Sequence, residues 1–229
     1  MAGLLLGGRK SPSVVGVASR PGGLWLARNR TVKFVIEWWL ALGLVITLSP
    51  LFLVIALRIR RDGGPVLFVQ SRLGLHGRPI QVFKFRSMHV ANCNPDAKFS
   101  VQSDDPGVTA FGARLRRSGL DELPQLLNVL NGSMSLIGPR PHVPAMLVLG
   151  RDYADLVPLY TDRLAARPGM TGLAQVRGWC GPVDTHEHAA ARIACDREYI
   201  ERWSPLLDLQ ILVATGRMIL CQARQKTRR

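Results

Sequence analysis

The sequence predicts an α+β fold anchored in a membrane by its N-terminal part, and three observations carry that prediction. Residues 38–57, WWLALGLVITLSPLFLVIAL, contain no charge, and as a helix rising about 1.5 Å per residue they would reach roughly 30 Å, one bilayer core. Residues 66–85 read as two apolar-alternating strands around a loop that contains Gly and Arg, the pattern of a β-hairpin. The remainder shows helical spacing interrupted by Gly and Pro. The expected architecture is a re-entrant membrane helix hairpin broken at Ser49–Pro50, a small mixed helical and β-hairpin cytosolic domain, and amphipathic helices at the interface. The expected boundaries are a flexible basic arm at 1–33, the re-entrant helix at 34–61, the cytosolic domain at 62–222 and a basic tail at 223–229.

Re-entry follows from the flanks. Arg28, Arg30 and Lys33 precede the apolar segment, and Arg58, Arg60 and Arg61 follow it. Cytoplasmic loops carry the excess of Lys and Arg, and a single span cannot put both of its ends there. Pro50 has no N–H for the Ile46 carbonyl, which favours a kink, and the Ser49 hydroxyl is expected to bond back to the Val45 carbonyl. The alternative is a kinked ordinary span; Trp38–Trp39 suits an interfacial anchor either way. Ahead of it, the apolar run Leu4–Leu6 is too short for the h-region of a secretory signal.

The net charge of +14, from 30 Lys and Arg against 16 Asp and Glu, points to a polyanionic partner: nucleic acid, an acidic membrane surface or a phosphorylated substrate. No helix-turn-helix, zinc module or aromatic RNA-binding signature is present, and the apolar segment has no place in a nucleic-acid binder. Cys93, Cys180, Cys195 and Cys221 show no close pairing, which suits a reducing compartment. Cys180, His186, His188 and Cys195 match no familiar zinc spacing.

In the cytosolic part, Val66–Val69 and Ile80–Phe85 are the expected strands, joined by a loop over Ser71–Arg78. Lys84 and Arg86 stand at the end of the second strand, either as a solvent-facing basic edge or as a phosphate clamp of point charge and bidentate fork. His89–Asp105 reads as a long loop, and Val108–Arg117 as an amphipathic helix. A helix is expected over Ala145–Ala166, a Gly-punctuated strand-like run over Arg167–Trp179, and a helix over His186–Trp203. On that last helix Asp196 interrupts an apolar stripe, so an arginine of the site is its expected partner. The helix from Leu206 to Cys221 fits an interfacial element ending in Arg224, Lys226, Arg228 and Arg229, or a core helix.

Asp121–Glu122 is an acidic pair in a cationic setting, with Arg116 and Arg117 before it and Arg140 held between Pro139 and Pro141. Leu123, Leu126, Leu127 and Leu130 follow at helical spacing and Gly132 stops the run. The pair is therefore expected at a helix N-terminus, whose dipole favours ionised carboxylates. Such a carboxylate suits a nucleophile toward phosphate or a magnesium ligand, and equally an N-cap.

The blocks PVLFVQSRLGLHGRPIQVFKFRSM, DPGVTAFGARLRRSGLDELPQLLNVLNGSMSLIGPRPH, RPGMTGLAQVRGW and DREYIERWSPLLDLQIL occur in the order found in bacterial sugar transferases. The chain resembles these monotopic polyprenyl-phosphate phosphoglycosyl transferases from about residue 34 to 221, and is similar to their compact, exopolysaccharide-initiating form. The resemblance implies transfer of a sugar-1-phosphate from a nucleotide diphosphate sugar, of the UDP-hexose kind, to undecaprenyl phosphate. Asp121 would be the nucleophile forming a phosphosugar intermediate, and Glu122 the ligand of a Mg2+ cofactor. Lys84, Arg86, Arg116 and Arg140 would hold phosphate oxygens, and Gln175 and Gly178 would lie near nucleotide or sugar. It also implies a bacterial inner membrane location with the catalytic domain on the cytoplasmic face, lipid as a partner, and is compatible with a homodimer. Two departures stand out: Gly119 where serine usually precedes Leu-Asp-Glu, and Ala174 where tryptophan is common. Gly119 would loosen the turn. The rival reading, a catalytically silent membrane-tethered scaffold subunit, predicts a damaged acidic pair or a missing phosphate arginine, and both are intact here.

Overall fold

The computed structural model describes residues 23–95 and 105–227. Residues 1–22 of the arm expected at 1–33, residues 96–104 of the polar loop, and the basic tail's side chains at Arg224, Lys226, Arg228 and Arg229 lie outside the described residues.

Helix α1, Gly23–Arg60, begins well before residue 34 and continues through Ser49–Pro50. The reason it can continue lies in one hydrogen bond. Pro50 leaves the Ile46 carbonyl without its helical donor, and the Ser49 hydroxyl donates to that same oxygen at 2.7 Å. The expected acceptor was the Val45 carbonyl, which already has its own helical donor in the Ser49 N–H; the orphaned oxygen takes the hydroxyl instead. Along the helix Glu37, Ala41, Ile55 and Ile59 are buried, with Val45 and Phe52 packed between them. That is one stripe at helical spacing. The opposite face, including Ile36, Trp39, Ile46, Leu53, Val54 and Leu57, is exposed and apolar.

Strands β1, Leu67–Leu73, and β2, Pro79–Phe85, pair antiparallel with Phe68 opposite Lys84. The predicted hairpin is present, and its first strand runs four residues further than expected, to Leu73. Helix α2, Ala110–Ser118, starts at Thr109, whose hydroxyl accepts from Gly112 N. A tight 3-10 turn, Leu120–Glu122, separates it from α3, Gln125–Leu130. Beyond come β3, Ser135–Ile137, and later β6, Gly169–Thr171, which pair in parallel.

The segment between them corrects the expected helix over 145–166. It folds as a small hairpin, β4 Leu147–Val148 with β5 Arg151–Asp152, then α4, Tyr153–Leu156, and a 3-10 stretch over Tyr160–Ala165. Ala145, Leu149, Gly150 and Leu159 all take positive φ, which an α-helix cannot accommodate. The run after β6 is also less extended than expected, since α5, Leu173–Val176, follows directly. Helix α6, His186–Arg202, matches its prediction and is capped by the Thr185 hydroxyl. Helix α7, Pro205–Thr227, buries Ile211 and exposes Leu206, Leu209, Leu212, Val213 and Ile219. It therefore serves as core on one side and offers apolar surface on the other.

The main core gathers Ala41, Val82, Leu126, Val129, Met134, Leu136, Leu173, Tyr199 and Ile211, so α1 and α7 both close over α3 and the β3–β6 pair. A second cluster joins Ile55 and Ile59 of α1 to Phe85 and Leu115.

Candidate active site

The site is assembled at the turn between α2 and α3. Helix α2 can lie against the end of β2 only because residue 112 is glycine. A Cβ there would stand 1.9 Å from the Ser87 carbonyl oxygen. Ser87 also accepts from Arg116 Nε at 2.8 Å through its hydroxyl, which holds that arginine beside the acidic pair. Gly119 then ends α2 in the left-handed region, at φ 70°, with nothing near its missing Cβ. The turn expected to be loose is therefore a defined helix stop, whose carbonyl accepts from Glu122 N at 3.2 Å.

Asp121 and Glu122 lie in the 3-10 turn and not at the head of an α-helix, so the expected dipole of a full helix does not act on them. Of the leucines that follow, Leu126 is buried and Leu127 is exposed. Fully buried Asn128 fixes this region to the hairpin: its Oδ1 accepts from Phe83 N at 3.0 Å, and its Nδ2 donates to the Gln81 carbonyl at 2.6 Å. Lys84 is thereby aimed at the acidic turn.

The two carboxylates are treated differently. Glu122 accepts from Lys84 Nζ at 2.7 Å and from both terminal nitrogens of Arg140, one at 3.0 Å. Burial alone would raise its pKa, but Arg140 and Lys84 pull it well below the usual carboxylate range. Asp121 is buried, and no other side chain among the described residues forms an ion pair with it. Burial pushes its pKa up, and the Glu122 charge adds to this, against the pull of Lys84, Arg116 and Arg140. Lys84 in turn is pushed below the usual lysine value by burial, with Glu122 opposing.

Arg140 is set from behind. Arg163 donates to its backbone carbonyl and pairs with Asp196 at 2.9 Å, both side chains almost fully buried. Asp196 therefore has the arginine partner its stripe demanded, but that arginine supports the site and does not line it. The other predicted residues divide. Arg86 lines the cavity, yet its Nη2 donates to the carbonyls of Ile59 and Gly63, closing the C-terminal end of α1. Gln175 lines the cavity with both amide atoms buried and unpartnered. Gly178 takes φ 86° just past α5 and stands outside the lining; it ends that helix. Arg72, His142 and Arg192, not singled out from the sequence, also line the site.

The cavity holds about 1230 Å³. Asp121, Glu122, Lys84, Arg116 and Arg140 share it with Leu44 and Leu48 of α1 and Leu212, Met218 and Ile219 of α7. A charged centre thus lies in one concavity with apolar residues of the two helices whose outer faces are apolar.

Residues 28–222 match the family described as bacterial sugar transferase. The chain belongs to that family. This sugar transferase is 47% identical over 176 residues to the exopolysaccharide production protein PSS of Rhizobium leguminosarum bv. phaseoli, covering 76% of this chain and 88% of that protein. It is 45% identical over 206 residues to the UDP-glucose:undecaprenyl-phosphate glucose-1-phosphate transferase of Caulobacter vibrioides, covering 89% and 76%. The protein of that name from Escherichia coli is 43% identical over 188 residues, and the sugar transferase spans 82% of its own length but 40% of that longer relative.

Proposed function

We propose that the chain transfers a hexose-1-phosphate from a UDP-hexose to undecaprenyl phosphate through a phosphosugar carried on Asp121. The single observation that carries this is the division of the acidic pair: Glu122 is gripped by Lys84 and Arg140, while its neighbour Asp121 forms no ion pair among the described residues and lines the same cavity. Relatives named as undecaprenyl-phosphate glucose-1-phosphate transferases support the substrate class.

Phosphoryl transfer needs positioning and charge stabilisation more than covalent machinery. In the first step an Asp121 oxygen bonds to the sugar-bearing phosphorus. The bond from that phosphorus to the bridging oxygen breaks, and UMP leaves with the electron pair. In the second step an oxygen of undecaprenyl phosphate bonds to the same phosphorus, and the carboxylate of Asp121 leaves. Both groups exchanged are anions, so no proton has to move. Lys84, Arg116 and Arg140 hold the phosphate oxygens and take up the charge displaced onto the leaving group. The low dielectric that raises the Asp121 pKa also strips its carboxylate of water, which favours attack over hydrolysis.

Among the described residues no group of three His, Cys, Asp or Glu side chains gathers as a metal cage. A magnesium ion arriving with the diphosphate would take Glu122 as its one protein carboxylate, in place of part of the grip that Lys84 and Arg140 have on it. When bound, that ion would offset charge on the diphosphate.

Re-entry of α1 is part of the same proposal. Near its start, Lys33 pairs with Asp208 and Trp38 donates to the Leu130 carbonyl. Near its end, Ile55 and Ile59 pack with Phe85 and Leu115. Both ends rest on one domain, which supports an anchor that enters and leaves on the cytoplasmic side of the inner membrane.

In membranes supplied with UDP-hexose, Asp121→Asn is expected to abolish UMP release. The wild-type chain, given labelled UDP-hexose without lipid phosphate, is expected to retain label on protein. Normal turnover by the variant would remove Asp121 as nucleophile. Chelation followed by return of magnesium, in the same assay, tests the ion through loss and recovery of release.

A further inference from the structure

Resting on that assignment, a second feature of the cavity concerns how the donor is read. Among the described residues Arg72 Nε, His142 Nε2 and both amide atoms of Gln175 are buried without a partner, and all three side chains line the cavity. A buried polar atom left unpaired is costly unless a ligand supplies its partner. His142 is the most constrained of the three. It is 2% exposed and follows Arg140 by two residues. Its ring stacks on Tyr153 at 4.9 Å with an interplanar angle of 16°, and its Nδ1 lies 3.2 Å from the Tyr160 hydroxyl.

The Tyr160 hydroxyl occupies Nδ1, so Nε2 is the ring nitrogen left for a ligand. A hydroxyl that donates to Nδ1 puts the ring proton on Nε2. Arg163, which pairs with Asp196, lies over the Tyr160 ring at 5.6 Å and steadies it from behind. Burial, and then the charges of Arg163, Arg192, Arg72 and Arg140, keep the ring neutral. A site that wanted another phosphate contact would gain from an imidazolium; this one has several arginines already and a neutral ring among them.

We propose that His142 is a specificity-determining residue of the donor site, its Nε2–H donating to an uncharged oxygen of the nucleotide sugar, with the Gln175 amide and Arg72 alongside it. The oxygen is either a hexose hydroxyl or a nucleobase carbonyl; both offer the same acceptor. The apolar lining from α1 and α7 is left to the lipid, whereas Arg72 comes from β1, His142 from the segment after β3, and Gln175 from α5.

The test is equilibrium binding of UDP-glucose, UDP-galactose and UDP to the full chain in detergent, on the Asp121→Asn background so that no covalent step intervenes. His142→Phe keeps the stacked ring and loses the donor. It is expected to weaken UDP-sugar binding about three- to tenfold, the loss of one hydrogen bond. Equal weakening for UDP identifies a nucleobase carbonyl; weakening confined to the two sugar nucleotides identifies a hexose hydroxyl. Tyr160→Phe removes only the hydroxyl that fixes the tautomer, and is expected to act in the same direction with a smaller effect. Unchanged affinity for all three ligands in folded His142→Phe overturns the proposal, and unchanged affinity in Tyr160→Phe does so should the first variant not fold. If the parent binds none of the three, the function proposed above fails instead, so the two failures are distinguishable.

Discussion

At the scale of single residues, adjacent carboxylates differ because of who stands beside them. Glu122 meets Lys84 and Arg140 directly, and Asp121 meets only their field. The consequence is a pH profile. In the proposed mechanism Asp121 attacks as the carboxylate, and its pKa is raised by burial, so kcat/KM should fall on the acid side at a higher pH than an ordinary aspartate would give. In the same proposal Lys84 works as the ammonium, and its pKa is lowered by burial, so the alkaline fall should come at a lower pH than for an ordinary lysine. A bell-shaped profile of UMP release is expected, and Lys84→Met should lower kcat about 10²–10³-fold, as loss of one stabilising donor does. A profile flat on the acid side down to the ordinary aspartate range would exclude a buried Asp121 as nucleophile. The acidic pair and its cations were legible because chemistry of this kind concentrates unlike charges in a short stretch. The bonds by which Arg86 closes the end of α1 were not, since nothing local in KFRSM reports the end of a distant helix.

At the scale of elements, polar side chains fix where the apolar helices dock. Glu37, 6% exposed, sits just before the uncharged stretch of α1. It accepts from Lys33 at 2.7 Å, from the Ser135 hydroxyl, and from Ile137 N at 3.2 Å, which ties α1 to β3. Lys33 also reaches Asp208 at 2.7 Å, and Asp208 accepts from Tyr199 and Trp203. Glu37→Ala strands these donors and should cost about 1–3 kcal/mol of stability, read as thermal unfolding in detergent. Glu37→Gln, which keeps an acceptor, should cost less; equal losses would show that packing and not hydrogen bonding matters at this position. The hairpin and α6 were legible from alternation and from a capped helical stripe. The segment 145–166 was not, because its apolar spacing imitates a helix while the turns fall on Ala145, Leu149 and Leu159, residue types that carry no turn signal.

At the scale of the whole molecule, the exposed apolar faces of α1 and α7 and the position of both α1 ends bear on how the enzyme would meet the lipid substrate proposed for it. From Lys33 to Ile59 a helix extends about 39 Å at 1.5 Å per residue, more than the roughly 30 Å of a hydrocarbon core. A crossing helix would therefore separate its two ends by the full membrane, yet both ends contact the same domain. Arg30 and Lys33 at one end, and Arg58, Arg60 and Arg61 at the other, would also require one basic cluster on the wrong side. The proposed re-entry would remove both conflicts, and would put Leu44 and Leu48, which line the active-site cavity, where a polyprenyl chain could reach Asp121. Single cysteines at Thr31 and Asp62, in a chain freed of Cys93, Cys180, Cys195 and Cys221, give a direct test. A membrane-impermeant maleimide should label both in inside-out inner-membrane vesicles and neither in intact spheroplasts. Labelling of one from each side would mean that α1 crosses, and that the domain contacts at one of its ends give way in the membrane.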